Sequence, residues 1–315
     1  MINTTGNLPP QIQQSVDDVL LSVNQPNLIM TTAAMRKHLA NKGGNTLRMS
    51  RYERLPTAPV PLGNTGITTP GAPLNRTDVD CTVSYFGLYV ALNNQVVLQN
   101  QDQVLNETSE LLGLSLRMTE DQLVRDALQS SSSFFNCLGG SNGDLPSNLS
   151  LDDIDEATAI LMQNNAYMIL DRQIGTDRFG TGPVRNAFVV LSPVAISKDL
   201  NALNGFLPQW NYPSANPMTL SSEWGAVNNM RFLISSVGSI SPNASALGNN
   251  VMNNFAAGME SYTCVEQDNY SAAILYRPAQ LSDPLFQNVT LGYTMSQGVK
   301  ILNELWLLNI RCTLR

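Results

Sequence analysis

The sequence predicts an α+β chain made of parts that bury little surface alone: an N-terminal arm, an extended β-hairpin, a very long helix and an α/β domain. Three observations predict it. Residues 46–92 hold two strand-like runs around a loop crowded with Pro and Gly. Residues 101–130 carry an unbroken helical stripe without Pro. From residue 186 onward, apolar strand-like runs alternate with one helix and with loops rich in Gly, Pro, Asn and Ser.

Composition bounds the class. The chain has 315 residues, room for one large domain or two smaller ones. Charged residues make up 14%, against roughly 25% in an ordinary soluble protein. There are 4 Lys, 14 Arg and 25 acidic residues, a net charge of −7, with one His and 33 Asn. With 43% apolar residues the chain is not of disordered composition. So much uncharged polar surface is unusual for a free soluble monomer. No run of 18 apolar residues occurs, so no transmembrane helix is expected. The start, Met1 to Gly6, lacks the basic and apolar regions of a signal peptide. Cys81, Cys137, Cys264 and Cys312 are far apart and form no CxxC, so four reduced, mostly buried thiols are expected. Seven Asn-x-Ser/Thr triplets are what chance gives in so Asn-rich a chain.

The arm, residues 1–45, contains a short amphipathic stretch from Ile12 to Val23 and a second helical stretch from Leu28 to Leu39. Both are too short to stand alone and must dock. Thr46 to Leu55 alternates apolar and polar, the period of a half-exposed strand. Pro56 to Pro73 forms the tip, and Thr77 to Leu92 is the second strand-like run. Such a hairpin has no core of its own and needs a neighbour to cover it.

The long helix is predicted over 101–130, with Asn100 as cap and Gln103 completing a capping box. Leu105, Leu112, Leu116, Leu123 and Ala127 form its stripe, widened by Leu111, Met118 and Val124. Ser130 to Ser133 ends it, and Gly139 to Gly143 marks a flexible loop. A second helix opens at Ser150. Asp152, Asp153, Asp155 and Glu156 sit in its first turns, where the macrodipole favours acids; with no DxDxDG loop or partner base, helix-start placement is a better reading than a metal or catalytic cluster. Ala187 to Leu191 reads as a buried strand, after which Ser192 caps a helix over 195–203 with Pro193 at its first position. Arg231 to Ser235, Tyr262 to Val265, Ser271 to Leu275 and Val289 to Met295 read as strands, with a further apolar stretch from Val299 to Ile310. Segments 205–222 and 237–258 read as insertions or loops.

No catalytic constellation emerges. A triad would have to use His38, which stands beside Arg36 and Lys37 with no carboxylate near in sequence. GxSxG, GxGxxG and GxxxxGK[ST] are absent. Asp78 and Asp80 share a strand face and could serve a glycosidase, but their setting is the Pro-rich hairpin. No cofactor or metal is expected. Residues 36–54 carry a balance of +5 (Arg36, Lys37, Lys42, Arg48, Arg51 and Arg54 against Glu53), leaving −12 elsewhere. With only Tyr52 among these cations, stacking on single-stranded nucleic acid is disfavoured. Ion pairing between copies is the better reading, with Arg48, Arg51, Arg54, Arg76, Asp78 and Asp80 as candidate inter-subunit contacts.

Three segments carry a family resemblance. These are Gly43-Gly44-Asn45-Thr46-Leu47-Arg48-Met49-Ser50-Arg51-Tyr52-Glu53-Arg54-Leu55-Pro56, then Tyr262 to Tyr270, and Gly292-Tyr293-Thr294 through Lys300 to Trp306 and Ile310-Arg311. Together with the order of elements, they resemble the Hong Kong 97-type major capsid proteins of tailed bacteriophages. The closer resemblance is to the major capsid family of N-four-like podophages. It spans roughly residues 25–315 and carries over no functional site.

The resemblance implies an arm over 1–45, an E-loop hairpin over 46–85, and a peripheral domain over 86–185 with a spine helix at 101–130. It further implies an axial domain over 186–288 and a return to the peripheral domain over 289–315. The implied function is structural, not enzymatic: self-assembly as hexamers and pentamers into an icosahedral shell around double-stranded DNA. Implied partners are copies of the chain, a separate scaffolding protein, a portal, a decoration protein, and packaged DNA through weak non-specific contact, with no membrane. The implied location is the virion capsid, assembled in host cytoplasm. Some members crosslink through a hairpin Lys; residues 46–85 contain none, so no crosslink is expected. The rival readings are another phage structural component (tail or decoration) and a carbohydrate-active enzyme.

Overall fold

The computed structural model describes residues 26–41, 43–55, 72–93, 104–170, 186–212, 220, 222–268, 272–278 and 287–315. The expected stretch at 12–23, the hairpin tip at 56–71 and the helix cap at Asn100 and Gln103 lie outside the described residues.

The chain runs β1 (Met35–Leu39), β2 (Thr46–Tyr52), β3 (Arg76–Thr82), β4 (Ser84–Asn93), α1 (Val104–Gln129), β5 (Phe134–Asn136) and α2 (Leu151–Gln163). It continues through β6 (Ile169–Leu170), β7 (Asn186–Pro193), α3 (Ser197–Asn201), β8 (Leu207–Pro208), β9 (Glu223–Val227) and β10 (Met230–Ser235). The last elements are β11 (Ile240–Ser241), β12 (Val251–Ala257), β13 (Tyr262–Gln267), β14 (Ala273–Arg277), β15 (Asn288–Ile301) and β16 (Leu307–Cys312). A nine-stranded sheet has the order β5-β16-β12-β7-β10-β9-β8, with β11 on β12 and β6 on β7. A five-stranded sheet has the order β1-β13-β15-β14, with β4 also on β15, and β2 and β3 pair by themselves.

The nine-stranded sheet is covered on both faces, so its central strands read as continuous apolar runs. Phe188 and Val190 of β7 point to one side, where Ile154, Ala157 and Leu161 of α2 and Leu200 of α3 pack. Val189 and Leu191 point to the other, against Val124 and Leu128 of α1, Ile29, Met30 and Tyr262. The helix α1 has 26 residues, about 39 Å at 1.5 Å per residue, and reaches from one sheet to the other. Its C-terminal end lies under the nine-stranded sheet, and its earlier turns lie on β15 through Leu112 and Leu116 against Leu291, Tyr293 and Met295. The buried stripe is Leu112, Leu116, Asp121, Val124 and Leu128; the predicted stripe is rotated slightly from it, and Leu111 is exposed. Leu116→Asp would put a charge into the seam with β15. It should cost about 3–5 kcal/mol, read as a lowered Tm by circular dichroism; an unchanged Tm would overturn the buried assignment.

The helix at Ser150 forms as predicted. The Ser150 side chain accepts from the Asp153 N–H, and the Asp153 carboxylate accepts from the Ser150 N–H, a reciprocal capping box. Asp153 Oδ1 also takes the N–H groups of Leu138 and Gly139, at 2.9 and 3.0 Å, which pins the Gly-rich loop to the helix.

Several expectations are corrected. Residues 28–39 are not helical. After a turn over Met30–Ala33 the chain extends as β1, parallel to β13, which supplies the backbone partners a short isolated helix lacks. Ser192 caps nothing. The ladder with β10 runs on to the pairs Ile234↔Ser192 and Ser235↔Pro193, so the strand persists through Pro193 before a turn of 3-10 helix and α3. Segment 237–258 is not all loop, since β12 lies in the centre of the sheet with every residue buried. The run 77–92 divides at Val83: β3 stays in the hairpin and β4 joins β15. At the C-terminal end, β15 lies under α1 and β16 pairs with β12.

Candidate assembly surfaces

Among the described residues the hairpin is anchored at its root. β2 and β3 pair from Thr46↔Thr82 to Tyr52↔Arg76. At the root, Leu47 and Met49 pack on Leu39, Cys81, Val83 and Val265. The root crosses β15 at Gly298, where a Cβ would stand 2.7 Å from the Thr82 carbonyl oxygen; only glycine permits that approach. Beyond the root most positions are exposed, and among the described residues no third strand flanks the pair.

The strand period places Arg48, Ser50, Tyr52, Arg76, Asp78 and Asp80 on one face of this ribbon. Arg48 and Asp80 stand directly opposite, joined by Nε–Oδ1 and Nη2–Oδ2 bonds of 2.7 and 2.8 Å. Arg76 holds Asp78, two residues along its own strand, at 2.7 and 3.3 Å. Four of the six predicted contact residues therefore neutralise one another within the hairpin. Arg51 lies on the opposite face and Arg54 beyond the strand; both are exposed and neither forms an ion pair among the described residues. Arg76 and Ser50 hold the Asp78 carboxyl below the usual carboxylate range, and Arg48 does the same for Asp80. A glycosidase acid needs the reverse, a carboxyl kept protonated by its surroundings.

A second surface is the outer face of the sheet formed by β4, β15 and β14. On β15, Leu291, Tyr293 and Met295 face α1, so Thr290, Gly292 and Thr294 face away. The registers put Tyr85, Gly87, Tyr89 and Ala91 of β4 and Leu275 of β14 on that outer side. Tyr89 is 73% exposed, and all five residues of β14 are exposed. Among the described residues β4 and β14 each pair with β15 alone, and an exposed sheet face beside open strand edges is a candidate surface for a partner.

The remaining candidates are structural. His38 sits on β1 with its Nδ1 3.8 Å from Asp268, both side chains exposed, a carboxylate 230 residues away that local reading could not supply. All four cysteines are free and buried, and burial pushes the Cys264 thiol up to about 12, so it is inert as a nucleophile at neutral pH. Among the described residues no group of three His, Cys, Asp or Glu is placed to hold a metal, and no helix is long and apolar enough to cross a membrane. Two polar clusters escaped sequence reading. Asp144 clasps two loops by accepting from the Leu145 and Leu247 N–H groups and the Asn249 amide. Glu223 and Arg231 form a buried pair on β9 and β10.

No family model and no curated protein matches the chain. Solved structures do. The capsid of Ralstonia phage GP4 aligns with a TM-score of 0.70 at 10% identity, covering 100% of this chain and 98% of that one. A capsid structure of Helicobacter pylori bacteriophage KHP30 gives 0.66 at 11% identity, covering 100% and 99%. The cyanophage Pam1 capsid gives 0.64 at 13% identity, covering 96% of each. The chain has the mixed α+β fold of phage capsid proteins over essentially its whole length.

Proposed function

We propose that this chain is the major capsid protein of a tailed bacteriophage, assembling with copies of itself as hexamers and pentamers into an icosahedral shell around double-stranded DNA. The observation that carries the reading is end-to-end alignment with phage capsid chains at matching length, with neither chain leaving a domain over. A hairpin without its own core and an outward apolar sheet face are what such a subunit would offer its neighbours. In this reading the parts are of the Hong Kong 97 type: arm 1–45, E-loop 46–85, peripheral domain 86–185 with the spine helix, axial domain 186–288 and return 289–315. The three sequence segments noted above favour the N-four-like podophage family. The site of action is the virion capsid, after assembly in host cytoplasm. A separate scaffolding protein, a portal, a decoration protein and weakly held DNA complete the partners.

Electron microscopy of the purified full-length chain, alone and with a co-expressed scaffolding protein, tests the proposal. Shells or capsomers are expected, and persistent monomers under both conditions would overturn it. Boiled in detergent and reductant, the particles should give one monomer band. A covalent ladder would contradict the absence of crosslinking that a Lys-free hairpin predicts.

A further inference from the structure

The root of the arm is held to the body through its backbone. Ile29 and Met30 are fully buried. The Met30 N–H donates to Asp121 Oδ1 of α1 at 2.8 Å, and the Ile29 N–H also points to that carboxyl. The Met30 carbonyl accepts from the Tyr262 hydroxyl of β13 at 2.5 Å. Ser235 donates to the Asn27 carbonyl, and Thr263 donates to that of Met35 at 2.8 Å. Asp121 is 1% exposed, and its Oδ2 has no hydrogen-bond partner. Among the described residues no cation forms an ion pair with it. The charged and titratable groups around it are Glu120 and Arg125 on α1 and Tyr262 on β13. Arg36 of β1 and Cys264 and Glu266 of β13 face Glu120.

We propose that Asp121 is a proton-operated clasp for the arm: one proton taken up by its carboxyl tightens the seating of residues 27–34, and loss of that proton loosens it. A carboxylate shut away from water without a counter-charge is costly, and the Met30 N–H bond offsets only part of that cost. Burial accordingly raises the carboxyl to about 6. If the arm lifts, water reaches Asp121 and its affinity for a proton returns to that of an ordinary aspartate. The seated state thus binds the proton more tightly, so protonation favours seating. Seating weakens as pH rises from about 4 to 6 and stays at its weakest above that. Linkage gives a shift of about tenfold in the seating equilibrium between pH 5.0 and pH 7.5. The ionised carboxylate keeps its Met30 N–H bond, so the arm is loosened rather than released. The clasp belongs to the folded subunit and does not depend on shell formation.

Hydrogen exchange on the unassembled full-length chain tests it, read at the amides of Met30, Thr32 and Ala34 and corrected for intrinsic exchange at each pH. Protection should be about tenfold greater at pH 5.0 than at pH 7.5. Asp121→Asn, which keeps the acceptor without the charge, should abolish that ratio. Tyr262→Phe should lower protection at both pH values and keep it. Glu120→Gln should also keep it, and serves if Asp121→Asn does not fold. A wild-type ratio near one, an unchanged ratio in Asp121→Asn, or a ratio lost in Glu120→Gln would each overturn the proposal.

Discussion

Replacing residues 54–74 by an Asn-Gly pair should leave a folded subunit that no longer assembles. Glu53 faces Asn75 one step beyond the Tyr52↔Arg76 pair and donates its N–H to the Asn75 carbonyl at 2.9 Å, so a two-residue turn can close the shortened hairpin on that hydrogen-bonded pair. Little is lost from the subunit itself. The Glu53 N–H bond to the Asn75 carbonyl and the Thr77 hydroxyl bond to Glu53 are kept. None of the described residues of 54–74 belongs to the hydrophobic clusters, while Leu47 and Met49, which anchor the root, remain. Stability should therefore stay within about 1 kcal/mol of wild type, as for surface changes away from the core. Assembly should respond far more steeply, because a shell multiplies the loss of one contact over every subunit. Thermal unfolding and light scattering read the two effects separately. Shells formed by the shortened chain would remove the hairpin from the assembly mechanism, and global unfolding would show that the hairpin contributes to the core after all.

The contrast between hairpin and core also explains what could be read from the chain. Strands whose two faces differ, such as β2 and β3, announce themselves by alternation, and β7 and β10 by unbroken apolar runs. β12 does neither. Asn253 and Asn254 stand in its middle and suggest a loop, yet both are buried. Asn253 donates to Ser239 and Ser241, and Asn254 donates to the Ile310 carbonyl. Those partners come from β11, its flank and β16, so only the assembled sheet makes the strand affordable. β1 is similar, since its edge is offered by β13, more than 200 residues away. The charges of the candidate surface were visible in sequence, but their pairing was not. Arg48 and Asp80 meet only because of a register set by the whole hairpin. Asp121 was invisible for the opposite reason, being a charge on the face where the helical period asks for an apolar residue. Part of the abundance of Asn has its cause inside the fold, since Asn253, Asn254 and Asn309 are interior residues that join strands.

Arg231→Met should be among the most damaging single substitutions in the nine-stranded sheet. The Glu223 side chain is 0% exposed, and its carboxylate accepts from Arg231 Nε and Nη2 at 2.9 and 2.6 Å. The Tyr212 hydroxyl and the Leu220 N–H add bonds of 2.9 and 2.8 Å. Methionine fills much of the arginine stem but leaves a buried carboxylate with neutral donors alone. Removing one member of a buried pair costs about 3–5 kcal/mol, because the other charge is stranded. Adding Glu223→Gln removes that charge; its amide oxygen can accept from the Leu220 N–H while its amide N–H donates to the Tyr212 hydroxyl, so the double variant should be more stable than Arg231→Met alone. That ordering is opposite to what independent losses would give. Urea unfolding followed by tryptophan fluorescence suits the test, because Trp224 adjoins Glu223 and its ring meets Trp210 edge-on at 5.7 Å. A midpoint for Arg231→Met equal to wild type would mean that water reaches Glu223 in solution. A double variant no better than the sum of the single losses would mean that the two side chains are not coupled.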